Sequence, residues 1–139
     1  MGRTAEAETA YSRALRGAPT DRATLGKLAL VKIGKGQLPE AAELLQRILT
    51  LEPDDVATKD VLGQVGYRMG DVEGAISMLS GVAQCGTMTP LGHYHLALAL
   101  RDSGRLEEAR EEARRGVGLD PTNLKYKDLL RKLETPSDG

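Results

Sequence analysis

The sequence predicts an all-α fold, a stack of helical hairpins, on three observations. Glycines recur every 34 residues, at Gly2, Gly36, Gly70 and Gly104. Alanines keep the same interval at Ala7, Ala41, Ala75 and Ala109. Pro19, Pro53 and Pro121 stand one and then two such intervals apart, in Ala-Pro-Thr-Asp, Glu-Pro-Asp-Asp and Asp-Pro-Thr-Asn. The missing member falls at Thr87, inside a Gly-Thr-Met-Thr-Pro turn. Two more columns share the register: Tyr11, Leu45, Leu79 and Ala113, and Leu28, Leu62 and Leu96, each of the latter followed by Ala or Gly. A fixed period of this length marks stacked supersecondary units.

The first helix is expected near 3–17, with Ala7, Tyr11 and Ala14 on its inward face. Residues 1–21 match only the second half of a unit. Two readings follow: a segment of a longer protein, or a natural start whose open face, near Ala7, Ala10, Tyr11 and Ala14, is covered by a second copy. Terminal repeats need polar caps, which favours the first.

The first full unit covers 22–55, with helices near 22–34 and 38–50. Leu28, Ala29 and Lys32 fall at helical spacing, as do Ala41, Leu44, Leu45 and Ile48. Gly36 lies between them, where a positive φ follows a helix C-terminus. Pro39 fits a first helical turn, where its missing N–H costs nothing. The Pro-Asp and Pro-Thr-Asn turns stop one hairpin and cap the next.

The second unit covers 56–89, with helices near 56–69 and 72–83. Gly66 and Gly74 lie inside these helices and cost roughly 1 kcal/mol each against Ala. The third covers 90–123, with helices near 90–102 and 106–117, and Pro90 opens it. A last helix is expected near 122–133. Its segment 124–134 is charged and amphipathic, suited to cap a solenoid end, and 135–139 form a tail.

The pattern resembles the tetratricopeptide repeat family. It is carried by Leu25, Leu28, Ala29, Gly36, Ala41, Leu45 and Pro53. Leu62, Gly63, Gly70, Ala75, Leu79 and Val82 carry it in the second unit, and Leu96, Ala97, Gly104, Ala109 and Pro121 in the third. The family's aromatic at the fourth position is replaced by Leu25, Lys59 and His93. Its tyrosine at the eleventh is replaced by Lys32, Gly66 and Leu100, losses that shrink the core.

The resemblance implies a right-handed superhelix whose first helices line a concave groove. Its groove positions fall on Ala23, Gly26, Leu30, Ile33 and Gly34, then Ala57, Asp60, Gln64, Tyr67 and Arg68, then Leu91, Tyr94, Leu98, Arg101 and Asp102. From these, Leu30, Ile33, Asp60, Gln64, Tyr67, Arg68, Leu91, Tyr94, Leu98 and Arg101 are the expected partner contacts. Relatives that grip the C-terminal carboxylate of heat-shock chaperones use Lys and Asn at the fifth and ninth positions. Here those are Gly26 with Leu30, Asp60 with Gln64, and Tyr94 with Leu98, so that clamp is absent. The expected ligand is an extended segment or helix with apolar anchors and an acidic group.

The 139 residues suit one domain, and 40% are hydrophobic and 28% charged, a globular balance. Phe and Trp are absent, so Leu, Ala, Val and Ile must fill the core. The formal net charge of -1 gives no overall attraction to nucleic acid or an anionic membrane. Apolar runs are too short for a membrane span, and the N-terminus lacks a signal core, so the default compartment is the cytoplasm.

Cys85 is the single cysteine, which excludes an internal disulfide, and is expected to be a small buried hydrophobe. His93 and His95 lie about 200° apart on one helix and cannot share a metal. One is expected to pack and the other to face the groove or solvent. Gly-Lys-Gly at 34–36 lacks the spacing of a phosphate loop. The charged run from Arg105 to Arg115 reads as a solvated helix face. The functional expectation is therefore a scaffold for a protein or peptide partner, without catalysis or cofactor. Self-association through the N-terminal half repeat, or a regulatory role inside a larger enzyme, is the alternative.

Overall fold

The structure is a computed structural model that describes residues 2–135. Eight helices follow one another among them: α1 (Gly2–Gly17), α2 (Arg22–Gly34), α3 (Leu38–Leu51), α4 (Val56–Arg68), α5 (Val72–Gln84), α6 (Pro90–Asp102), α7 (Leu106–Leu119) and α8 (Leu124–Glu134). The order is an unpaired helix, three antiparallel hairpins and a closing helix. The tail expected at 135–139 lies outside the described residues apart from Thr135.

Local chemistry sets the boundaries. Gly36, Gly70 and Gly104 end the first helix of each hairpin at φ of 76°, 93° and 81°, a region where a Cβ clashes. Asp55, Asp71, Thr89 and Asn123 each accept a backbone N–H of the helix they precede, at 3.0 to 3.3 Å. Each satisfies an N–H that the helix itself leaves without a partner. Asn123 also explains why α8 starts at Leu124 and not near 122: the capping residue has to stay outside the helix. Pro39 and Pro90 occupy first-turn positions, as expected.

Hairpin stacking buries the periodic columns. Ala41, Ala75 and Ala109 are sealed at 0–1% exposure, because nothing larger fits where neighbouring helices cross. Gly63 shows the same limit on α4: a Cβ there would stand 2.6 Å from Cγ of Leu79 on α5. The interior divides into two apolar clusters. One joins Leu15, Leu25, Leu28, Leu45, Ile48, Leu62 and Val65. The other joins Ala75, Leu79, Val82, Leu96, Leu100, Ala113, Leu129 and Leu133. The seam between them runs through the α4–α5 hairpin.

Cys85 departs from expectation: it is exposed and caps the C-terminus of α5. The same column holds Leu51 and Leu119, which are also exposed. The position therefore points off the solenoid edge in every hairpin. The turn after α5 is unlike the proline turns, since Gly86 takes a φ of 76° and Thr89 then starts α6.

Candidate functional site

Of the first helices of the hairpins, α4 packs directly on α6, and α2 borders α4 across a shared hollow. Their outward residues form one face, and α8 extends it at the C-terminal end.

At the N-terminal end the face is small and apolar. Leu30 is 60% exposed, the groove position most open to solvent among the expected apolar contacts. It borders a hollow of about 370 Å³ between α2 and α4, with Ala23, Gly26, Ala57 and Val61 on its walls. A second hollow, of about 620 Å³, continues past Leu30 to Thr4 and Ala5 of α1. Ile33 is half-buried against the N-terminal cluster and contributes mainly packing.

The middle of the face corrects one expectation. Asp60 is 3% exposed and offers a visitor no surface. Its Oδ2 accepts the Thr89 N–H at 2.9 Å and its Oδ1 accepts Nε2 of Gln64 at 2.7 Å. The carboxylate is held inside because the turn before α6 has a backbone N–H to satisfy. Gly92 belongs to this arrangement, since a Cβ there would stand 2.3 Å from Oδ1 of Asp60. Gln64, tied to Asp60, is half-buried.

The C-terminal end is aromatic and cationic. The Tyr67 hydroxyl donates to Oδ2 of Asp102 at 2.6 Å, and Nε and Nη2 of Arg101 donate to Oδ1 at 3.1 and 3.0 Å. The Tyr67 ring meets His95 edge-on at 5.9 Å, and His95 meets Tyr94 at 5.6 Å. Tyr94 then packs on Tyr126 of α8 at 5.1 Å, with Nζ of Lys125 at 5.4 Å from its ring centre. Such edge-on and cation–π contacts fix ring orientation as well as burying area. Arg68 and Leu91 are exposed, and Leu98 is half-buried against the C-terminal cluster.

Burial pushes the His95 imidazole below its ordinary range, and the Arg68 and Lys125 charges push the same way. Its Nδ1 lies 3.0 Å from the Leu91 carbonyl, which only accepts, so Nδ1 donates and Nε2 is left as the acceptor of the neutral ring. Burial likewise raises the Tyr67 phenol, followed by its bond to Asp102. His93 is buried, with Nδ1 2.7 Å from Oε2 of Glu112. Thus His93 packs and His95 faces the groove. Among the described residues no three His, Cys, Asp or Glu side chains gather as a metal site.

Sequence reasoning left open which histidine faces the groove, and it missed Lys125 and Tyr126. Lys125 was within reach: it stands 34 residues after Leu91, at the second position of an incomplete fourth unit.

Stacked hairpins with glycine turns and a continuous inner face define a helical solenoid of the protein-interaction type. Tetratricopeptide repeat models match residues 1–65 and 61–123, and the chain belongs to the tetratricopeptide repeat family. Tetratricopeptide repeats are in general protein-interaction scaffolds. The cellulose synthase 2 operon protein C of Komagataeibacter xylinus is 31% identical over 106 residues, covering 75% of this chain and 8% of that protein. The chain thus spans under a tenth of the curated relative it matches. A solved structure of MamA from Desulfovibrio magneticus RS-1 superposes with a TM-score of 0.82 at 22% identity, covering 94% of this chain and 73% of that one. The first TPR of Spaghetti (RPAP3), bound to the HSP90 peptide SRMEEVD, superposes with a TM-score of 0.72 at 18% identity, covering 81% and 89%. At these identities the superpositions show the fold. Among the described residues no helix is long and apolar enough to cross a membrane.

Proposed function

We propose that the chain is a non-catalytic scaffold whose concave face holds an extended segment of another protein. The observation that carries this reading is the pairing of an open apolar hollow at Leu30, Ala57 and Val61 with a row of side chains in mutual contact, Tyr67, His95, Tyr94 and Lys125. Rings fixed at their edges offer contact area at little entropic cost, which suits them to anchor a flexible ligand. Peptide binding by the Spaghetti (RPAP3) repeat domain supports this use of the fold. Both histidines serve packing or groove geometry: His93 is turned inward to Glu112 and His95 is held by Leu91. The contacts offered are Leu30, Gln64, Tyr67, Arg68, Leu91, Tyr94, Leu98 and Arg101, with His95 and Lys125 added and with buried Asp60 and the packing residue Ile33 withdrawn.

The test is site-specific photo-crosslinking in cell extract. A photoreactive residue at Leu30 or Leu91 should capture a discrete partner, and the same residue at Glu43 on α3 should not. Equal capture from both faces would remove the reading. Self-association is a second reading, supported by the exposure of Ala10 and Ala14 on the open side of α1. Light scattering across a range of concentrations separates the two, since a strict monomer eliminates it.

A further inference from the structure

The concave face carries a charge asymmetry that its own residues do not neutralise. Its carboxylates are committed: Asp60 is held by Thr89 and Gln64, Asp102 accepts from Tyr67 and Arg101, and on α8 Asp128 pairs with Arg131 and Lys132. Arg68 and Lys125 are different. Both are exposed, and neither forms an ion pair among the described residues. They come from α4 and α8, on opposite sides of α6. Both charges nevertheless act on His95, which lies on the ring floor between them.

We propose that this end of the groove selects internal acidic segments, with side-chain carboxylates meeting Arg68 and Lys125 on either side of the Tyr67, His95 and Tyr94 floor. The inference rests on the concave face being the binding surface and adds what that surface chooses. A chain-terminal carboxylate is not the determinant. The fifth and ninth positions hold Tyr94 with Leu98 and Asp60 with Gln64, and none of these places a cation beside an amide to grip two oxygens at one point. Arg68 and Lys125 are instead spread across this end of the row, so they match two separated carboxylates with an apolar or aromatic side chain between them. The rings under this middle section exclude water and raise the worth of each partly exposed pair.

The test uses the full chain and fluorescence anisotropy. The probe is a fluorescein-labelled, C-terminally amidated peptide of alternating Glu and Leu, set against its Gln counterpart, the free-acid form and labelled oligo(dT). The Glu peptide should bind about tenfold more tightly than the Gln peptide, the strength of two partly exposed ion pairs. Amidated and free-acid forms should bind alike. The double variant Arg68→Gln with Lys125→Gln should abolish the preference and flatten the salt dependence, with an unchanged circular dichroism spectrum. Tighter binding of the free acid, or oligo(dT) binding as well as the Glu peptide, overturns the proposal. Equal Glu and Gln binding that still needs Tyr94 overturns the acidic preference and leaves the groove standing. Absence of peptide binding together with uniform crosslinking from both faces overturns both.

Discussion

Asp60 on α4 accepts the backbone N–H of Thr89 at 2.9 Å and so fastens one hairpin to the turn that opens the next. Asp60→Ala removes that part-buried bond, a loss of about 1 kcal/mol. Urea denaturation should show the drop, and Asp60→Asn should recover part of it through its amide oxygen. A neutral Asp60→Ala would mean that the bond has no structural weight.

Gly63 and Gly66 lie one turn apart on α4 and should respond to alanine with opposite signs. A Cβ at Gly63 would stand 2.6 Å from Cγ of fully buried Leu79, whereas a Cβ at Gly66 meets nothing within 4 Å. Gly63→Ala should cost about 1–3 kcal/mol through overpacking. Gly66→Ala should gain about 0.5–1 kcal/mol from helix propensity. Thermal melts of the two variants, run side by side, decide it.

Glu112 and His93 form a buried pair at 2.7 Å across α6 and α7. Removing the carboxylate in Glu112→Leu strands the ring nitrogen and should cost about 1–3 kcal/mol. His93→Leu combined with Glu112→Leu removes both polar groups together and should cost less than the single change. A double-mutant cycle by urea denaturation measures this, and strict additivity would refute the coupling.

His95 gives the fold a pH response near neutrality. Burial lowers its pKa in the folded chain, while the unfolded ring titrates near its ordinary value of about 6.5. Below that value the unfolded state binds more protons, so stability is complete above it and is lost as pH falls through the folded pKa. The urea midpoint should therefore fall between pH 7.5 and pH 5.5, and His95→Gln should flatten the change. An acidic ligand works in the opposite direction. The groups around the ring are Arg68, Lys125, Asp60, Tyr67 and Tyr94, and a bound carboxylate offsets the two cations. Affinity for the Glu peptide should then rise as pH falls over the same interval, as anisotropy would show.

Much of the fold is legible because the packing is periodic. Ala41, Ala75 and Ala109 are small for one reason repeated three times, and a repeated reason shows up as a column. Turn chemistry is equally local, as at Gly36 and Asn123. Asp60 was misjudged because its partner, Thr89, lies in the one turn that lacks the proline pattern. Cys85 was misjudged from a hydrophobic column whose leucines, Leu51 and Leu119, in fact point outward. The spacing of His93 and His95 put one of them on the groove side without saying which, and Tyr126 joins through a contact between helices that no spacing within one helix announces.

The split interior has a mechanical consequence. Because the two oily halves meet at a single hairpin, damage at Leu45 weakens one end and leaves the other largely intact. Deuterium uptake should then reveal two opening events: one loosening α2 and α3, the other α6 and α7. Each would expose only part of the inner surface, so a visitor bridging Leu30 and Tyr94 would clasp the halves together and slow both.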